Sequence, residues 1–360
     1  MANGNTTPSR AGQINSTGGS FANDNALFLK KFAGEILTTF EENNIFKGLH
    51  TVRTIDSGKS AQFPVTGVAT ASYHTPGQNI ADADNSYLSD PKKNEKVITI
   101  DDVLLASTFL ASIDDVKNHY DIRSVYSTEL GRALANRFDS ALAKVFIAAA
   151  RTTTPNVTGG NVGGEIDVSQ NLLRAPAGAG ADGDTTDPTG AELIAALFTA
   201  AAALDNNDVP ADGRFCVLRP QEYYKLITGG DGSLVVNTSA SNKDVGGSGS
   251  LASGSIAQVA GIDIYKSTHV PSTDMTSATG TNSGDEGASN DVFAATDGYD
   301  GDFSNTCGIV AHPSAVGTVK LLDLATESEY QISRQGTLFV AKYAMGHGVL
   351  RPECCIELHK

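Results

Sequence analysis

The stretch TIDSGKSAQFPV, residues 54–65, reads in two incompatible ways, and the choice between them decides the fold. Its triplet Gly58-Lys59-Ser60 is how a nucleotide-binding P-loop ends. A P-loop carries a glycine five positions before that Gly, so that backbone amides can curl around phosphates, and it then opens a helix whose N-terminus faces the anion. Here that position is Arg53, and behind the triplet comes SAQFPV, a short extended run containing a proline. Both requirements fail. The stretch reads instead as a turn entering a strand.

Working outward, residues 52–101 are extended throughout: the opening run, then TGVATASYHTPGQN, a polar turn-rich centre, and the alternating KNEKVITIDD. Two extended runs flank a polar tip, as in a long hairpin. Two strands alone are only marginally stable in water, so this hairpin needs another surface to lie on. Downstream, Asp114 to Arg151 turns strongly helical, with acidic residues in the first turn and a basic residue at the end, both favourable to the helix dipole. Leu130, Leu134, Phe138, Leu142 and Phe146 recur every fourth residue. Such a stripe drifts around the helix and must be covered from more than one side. At about 1.5 Å per residue the helix reaches about 50 Å, long for a globular protein and suited to a strut. Upstream, residues 1 to 24 are Gly, Ser, Thr and Asn with almost nothing apolar to bury and read as a flexible arm. Ala26 to Glu42 then places Leu27, Phe28, Leu29, Phe32, Ile36, Leu37 and Phe40 near helical spacing.

The rest is mixed. Residues 152–190 lose periodicity in Gly, Thr and Asp. AELIAALFTAAAALDNN reads as a helix stopping before Val209-Pro210, GRFCVLRP as a buried strand and QEYYKLITGG as a short helix closed by glycine. After a Gly and Ser loop, 246–255, IAQVAGIDIYKSTHVP reads as a strand pair or a strand and turn, residues 271–305 as a polar insertion, and CGIVAHPSAVGTVKLLD and TLFVAKYAMGHGVLRPECCIELH as strands. With no regular β-α alternation, the class is α+β.

Composition narrows the function. At 360 residues with 40% hydrophobic content the chain can bury a sizeable core, while 37 glycines, no Trp and only 19% charged residues leave a surface of small polar groups. A net charge of -15 argues against a protein that coats nucleic acid, which requires clustered Lys and Arg. No apolar run approaches the roughly 20 residues that span a bilayer, and the N-terminus lacks the apolar centre of a signal peptide, which predicts a protein kept in a cytoplasm with no membrane partner. Cys216, Cys307, Cys354 and Cys355 show no metal-ligand spacing and read as reduced and structural, the adjacent pair pointing to opposite faces of a strand.

No catalytic, cofactor-binding or metal site emerges. His74, in YHTPG, stands beside a turn with no Ser or Asp pattern of a triad. His119 and Asp121, in NHYD, fit stabilisation of a helix end better than proton transfer. The run DGYDGD, 297–302, has alternating carboxylates but no EF-hand register and reads as a solvated loop. His347 lies between glycines, which favours close backbone approach over catalysis.

The order arm, hairpin, long helix, mixed domain and terminal strands resembles a phage major capsid protein of the Hong Kong 97 fold. ALFLKKFAGEILTTF, SGKSAQFPV, the PGQN turn, EKVITID, NHYDIRSVYSTELG, HPSAVGTVKLLDLA and AKYAMGHGVLRPE resemble, in order, segments of the capsid proteins of T-seven-like short-tailed (podovirus) double-stranded DNA phages. The resemblance implies an N-terminal arm with an amphipathic helix over 1–52, an extended E-loop over 53–101, a peripheral domain with its spine helix over 102–189, an axial domain over 190–318 containing the polar insertion 271–305, and a return to the peripheral domain over 319–360. It implies self-assembly through hexamers and pentamers into an icosahedral shell, guided in the host cytoplasm by a scaffolding protein, with a portal ring at one vertex and DNA enclosed without specific binding. Lys59, Phe63, Tyr73, His74, Lys92, Lys93 and Lys96 are then expected to face a neighbouring copy. The competing expectations are a secreted or surface adhesin rich in Gly, Ser and Thr, weakened by the missing export signal and unpaired cysteines, and a cytoplasmic enzyme, weakened by the absent catalytic constellation.

Overall fold

A computed structural model describes residues 44–67, 69, 71–81, 87, 91–100, 103–111, 122–157, 160–174, 187–228, 258–275 and 301–360. The expected arm, the amphipathic helix 26–42, His119 and Asp121, the loop 246–255 and most of the insertion 271–305 lie outside the described residues. The chain divides into two compact units. The first takes its described residues from within Met1–Gly48, Ile100–Ala141 and Lys320–Gly346, the second from within Leu49–Thr99, Leu142–Val319 and His347–Lys360.

The hairpin and the strut are both present. β1 (Thr51–Thr54) is followed by β2 (Ser60–Thr66) and β3 (Lys93–Thr99), which pair antiparallel, and then by β4 (Leu104–Ala111). Helix α1 (Ile122–Ala150) has 29 described residues, about 44 Å. Its expected acidic first turn lies outside the described residues. From Ala141 to Ile147 every residue of α1 is buried, which is how the drifting stripe of Leu142 and Phe146 is covered on several sides.

In the first unit, β4 pairs with β12 (Gly336–Val349) in register from Gly336 opposite Ala111 to Tyr343 opposite Leu104. Strand β12 also runs beside β11 (Val316–Gln331). Phe138 of α1 meets Tyr343 edge-on at 6.3 Å between ring centroids. Asp139, fully buried, accepts from the backbone N–H groups of Ile45 (2.8 Å) and Phe46 (3.3 Å), tying the chain before β1 to α1.

The second unit is built on a mixed seven-stranded sheet. Its members, besides β5 (Gly164–Asp167) and β6 (Leu172–Arg174), are β7 (Phe215–Leu218), β8 (Gln258–Val259), β9 (Ile262–Lys266), β10 (Thr306–Ala311) and β13 (Cys355–His359), in the order β6-β5-β13-β10-β7-β9-β8. Helix α2 (Gly190–Asn206) starts where AELIAALF predicts, held by a capping box in which Glu192 N–H donates to the Thr189 hydroxyl and the Thr189 N–H to the Glu192 carboxylate. Helix α3 (Pro220–Thr228) follows β7, as QEYYKLIT implies. The segment IAQVAGIDIY is the tighter of its two expected forms: β8 and β9 pair through Ala260 and Gly261, both at positive φ.

Two expectations need correction. The stretch 152–190 is not without regular structure, because GEID, 164–167, forms the fully buried strand β5 between β13 and β6. Its polar residues hid it: Asp167, fully buried, accepts from the Ser169 hydroxyl at 2.7 Å and from Arg174, so carboxylates stand where a buried strand ordinarily shows aliphatic residues. The adjacent cysteines also do not alternate along one strand. Cys354 ends a one-turn 3-10 helix, Pro352–Cys354, and Cys355 opens β13. All four cysteines are unpaired and buried, and burial pushes the Cys307 thiol up to about 12 and the thiols of Cys216 and Cys355 upward as well.

Candidate intersubunit surface on the hairpin 53–101

The alternation of SAQFPVT governs β2: Ala61, Phe63 and Val65 turn toward protein while Ser60, Gln62, Pro64 and Thr66 are exposed. Pro64 is tolerated because this is a two-stranded ribbon, where a missing N–H leaves no third strand unpaired. Seven rungs join β2 to β3, from Ser60 opposite Thr99 to Thr66 opposite Lys93, and Gly67 N–H extends the ladder to the Lys92 carbonyl at 2.8 Å. Gly58-Lys59-Ser60 enters a strand and no helix, with Gly58 at φ 112°. Arg53, standing where a P-loop glycine would, donates to the Gln62 carbonyl at 2.6 Å and lies over the Phe63 ring at 5.5 Å. ATP is therefore expected not to bind. A calorimetric titration showing micromolar affinity contradicts this.

The root of the hairpin is anchored within its own chain, more firmly than two bare strands predict. Ala61 and Ile98 oppose each other and are 6% and 3% exposed. Ile98 sits on a seat made by two glycines: a Cβ at Gly348 would come within 2.8 Å of Ile98 Cγ1, and one at Gly317 within 3.3 Å of Ile98 Cδ1. Asn94 donates to the Asn156 carbonyl at 2.6 Å, and Asn156 in turn donates to the Leu350 carbonyl. Among the described residues of the tip, 71–81 and 87, contacts internal to the tip hold the chain. Thr75-Pro76-Gly77-Gln78 forms a turn closed by Gln78 N–H to the Thr75 carbonyl at 3.2 Å, with Gly77 at φ 93°, the left-handed position that follows a turn proline. The Tyr87 hydroxyl accepts from Thr75 N–H at 2.9 Å and donates to Gln78 Oε1, while the His74 ring lies 5.2 Å from that of Tyr87, with its Nε2 2.9 Å from the Gln78 carbonyl.

The seven expected contact residues are strung along this ribbon and do not converge on a pocket. Lys59 is exposed at the base; Phe63 and Lys96 oppose each other midway, both half-buried; Lys92 and Lys93 are exposed at the top of the ladder. Tyr73 is fully exposed, and His74 is exposed in the tip. What they form is a surface, not a site for chemistry. Residue-by-residue reading missed Ile80, 55% exposed beside the turn, and Tyr87, which holds it. A lone tyrosine in a polar stretch was the available signal for Tyr87; its partner Gln78 was not legible without the turn. Of DGYDGD, only Gly301 and Asp302 are described, and the Asp302 carboxylate accepts from Ser304 N–H and hydroxyl at 2.9 and 2.6 Å. Among the described residues no cluster of His, Cys, Asp and Glu is arranged to hold a metal, and no helix is long and apolar enough to cross a membrane.

Comparison with known proteins places the chain in a family. The profile of a family described as Gp10A-like major capsid protein matches residues 62–359. The major capsid protein of Escherichia phage T7 is 37% identical over 339 residues, covering 91% of this chain and 90% of that protein. That of Enterobacteria phage T3 is 36% identical over 343 residues, covering 93% and 92%. Among solved structures, the capsid of cyanophage P-SCSP1u superposes with a TM-score of 0.68 at 37% identity over 99% of both chains. The mature capsid of bacteriophage PhiM1, at 21% identity and a TM-score of 0.63 over 88% of this chain and 86% of that one, shares the fold.

Proposed function

Because this chain belongs to the Gp10A-like major capsid protein family, we propose that the hairpin 53–101 is the arm by which one copy holds the next in the shell. The chain is a phage head protein with the Hong Kong 97 fold: its role is structural rather than catalytic, it assembles with copies of itself, and it resides in the virion. No observation favours an adhesin or an enzyme.

The observation that carries the proposal is the change of environment along the hairpin. Its root is buried on its own chain, while Tyr73, fully exposed, and Ile80, 55% exposed, are held out on a tip that is already folded by Tyr87 and the Thr75–Gln78 turn. A preformed tip presents apolar groups to a neighbour at a small ordering cost. Lys59, Phe63, Tyr73, His74, Lys92, Lys93 and Lys96 are the proposed contact residues along it. In this reading 53–101 is the E-loop, the helix containing α1 is the spine of a peripheral domain over 102–189 and again over 319–360, residues 190–318 are the axial domain, and 1–52 is the N-terminal arm. Hexamers and pentamers would close the icosahedral shell in the host cytoplasm around a scaffolding protein, with a portal ring at one vertex. The net charge of -15 suits a container that holds double-stranded DNA without binding it specifically.

Hydrogen exchange on the free subunit and on assembled shells tests the arm. Amides of residues 71–81 are expected to exchange at least tenfold more slowly in the shell, whereas the root, 60–66 and 93–99, is protected in both because it is seated on its own chain. Equal protection of the tip in the two states overturns the proposal.

A further inference from the structure

Lys266 ends β9 on the surface of the second unit, where it is positioned rather than neutralised. Its ammonium donates to the Tyr224 hydroxyl of α3 at 3.0 Å and lies 5.0 and 5.3 Å from the ring centres of Tyr224 and Tyr223. Tyr224 is 47% exposed, and Tyr265, the neighbour of Lys266 in β9, is 40% exposed. Among the described residues no carboxylate pairs with Lys266. A cation fixed beside exposed tyrosines has the composition of an interface hot spot, and the group it lacks is an acid. The same unit carries acids in the converse condition. The turn after α2 presents Asp208 and Asp212, both exposed and neither paired with a cation among the described residues. Buried Arg214 shapes that turn from within, donating to the Val209 and Pro210 carbonyls at 2.6 and 2.9 Å and to Asp205 at 2.7 Å.

Sheet topology keeps these groups from meeting within one copy. Strands β7 and β9 run parallel, with Phe215 opposite Asp263 and Leu218 opposite Lys266. The acidic turn leads into the end where β7 begins, and Lys266 stands at the end where both strands finish, so the four residues of β7, about 13 Å, lie between them. We infer that copies of this chain associate head to tail through these two ends, the surface of Lys266, Tyr224 and Tyr265 on one copy receiving the turn 208–212 of the next. Charge sets the orientation, because lysine end against lysine end, or turn against turn, brings like charges together. A contact between two different surfaces of one chain leaves the next copy's own lysine end open for a third. It therefore propagates, and it closes into a ring where the rotation per copy allows. Such a contact suits a chain of a major capsid protein family, and it is separate from the arm 53–101.

Carbodiimide coupling, which joins an amine to a carboxylate in direct contact, tests this on assembled shells and on the free full-length subunit. Peptide mass spectrometry is expected to find Lys266 linked to Asp208 or Asp212 in shells, and about tenfold less of that link in the free subunit, where the two ends of β7 hold the groups apart. Lys266→Glu is expected to lower the yield of shells about tenfold while leaving the unfolding transition of the free subunit unchanged. Asp208→Asn combined with Asp212→Lys is expected to do the same; asparagine tolerates the left-handed φ of 55° at position 208. All three substitutions in one chain exchange the charges of the two ends and are expected to restore assembly, a rescue that a residue serving only the fold of its own copy does not show. An equal yield of the link in the free subunit, shells in which Lys266 couples only to other carboxylates or to another protein, variants that assemble like wild type, or a combined variant no better than its parents overturns the proposal. Exchange at the tip 71–81 is a separate readout, so this contact and the arm fail independently.

Discussion

Replacing Arg151 with alanine is expected to destabilise the second unit by about 3–5 kcal/mol, the usual cost of stranding one member of a buried ion pair. Arg151 follows the last residue of α1 and points into the seven-stranded sheet. Its guanidinium meets Glu357 of β13 in two parallel bonds, Nε to Oε2 at 2.6 Å and Nη2 to Oε1 at 2.7 Å, and Nη1 donates to the Asp302 carbonyl at 2.5 Å. The Thr306 hydroxyl donates to the same Glu357 Oε1 at 2.6 Å, and the guanidinium lies 5.5 Å from the Phe303 ring centre. Glu357 is 1% exposed, so without Arg151 it must either stay charged in a site that water does not reach or take up a proton. Arg151→Lys loses the bidentate geometry and is expected to recover only part of the stability. Arg151→Met combined with Glu357→Leu removes both charges and should restore most of it, because the penalty is the orphaned charge rather than the lost bond. Denaturant unfolding at neutral pH measures all three. A single alanine variant within about 1 kcal/mol of wild type would show that the pair is not what holds β13 to the end of α1.

Gly163→Ala is expected to cost about 3 kcal/mol, at the upper end for overpacking, and to lower the yield of folded subunit accordingly. A Cβ at this position would lie 2.4 Å from the Ala150 carbonyl oxygen and 2.5 Å from that of Ala149. Both are backbone atoms in the last turn of α1, so no side chain can rotate aside; either the end of the helix shifts or the chain entering β5 does. Shifting the helix end moves Arg151 off Glu357, so this substitution and the Arg151 variants are expected to be non-additive. The measurement is the same unfolding experiment on Gly163→Ala, Arg151→Ala and the double variant. Wild-type stability for Gly163→Ala, or strict additivity, would place the strain elsewhere.

The elements with strong local periodicity were legible in the chain itself. The alternation of SAQFPVT and KNEKVIT, the fourfold spacing from Leu130 to Phe146, and the Ala and Leu run of AELIAALFTAAAALDNN each specify a strand or a helix through contacts a few residues apart. The rejection of a P-loop needed only Arg53 and the proline that follows the triplet. The ordered match of seven short segments was enough to point to a capsid protein. Tertiary structure alone decided the rest, because there the determining contacts join residues far apart in sequence. GEID is a buried strand whose Asp167 is satisfied by Ser169, Gln170 and Arg174, partners that the stretch read on its own does not reveal. Gly317 and Gly348 become a seat only when two strands bring them under Ile98. Periodicity records which face of an element is apolar. It carries no record of which distant residue will fill that face, and the anchoring of the hairpin root depends on that second piece of information.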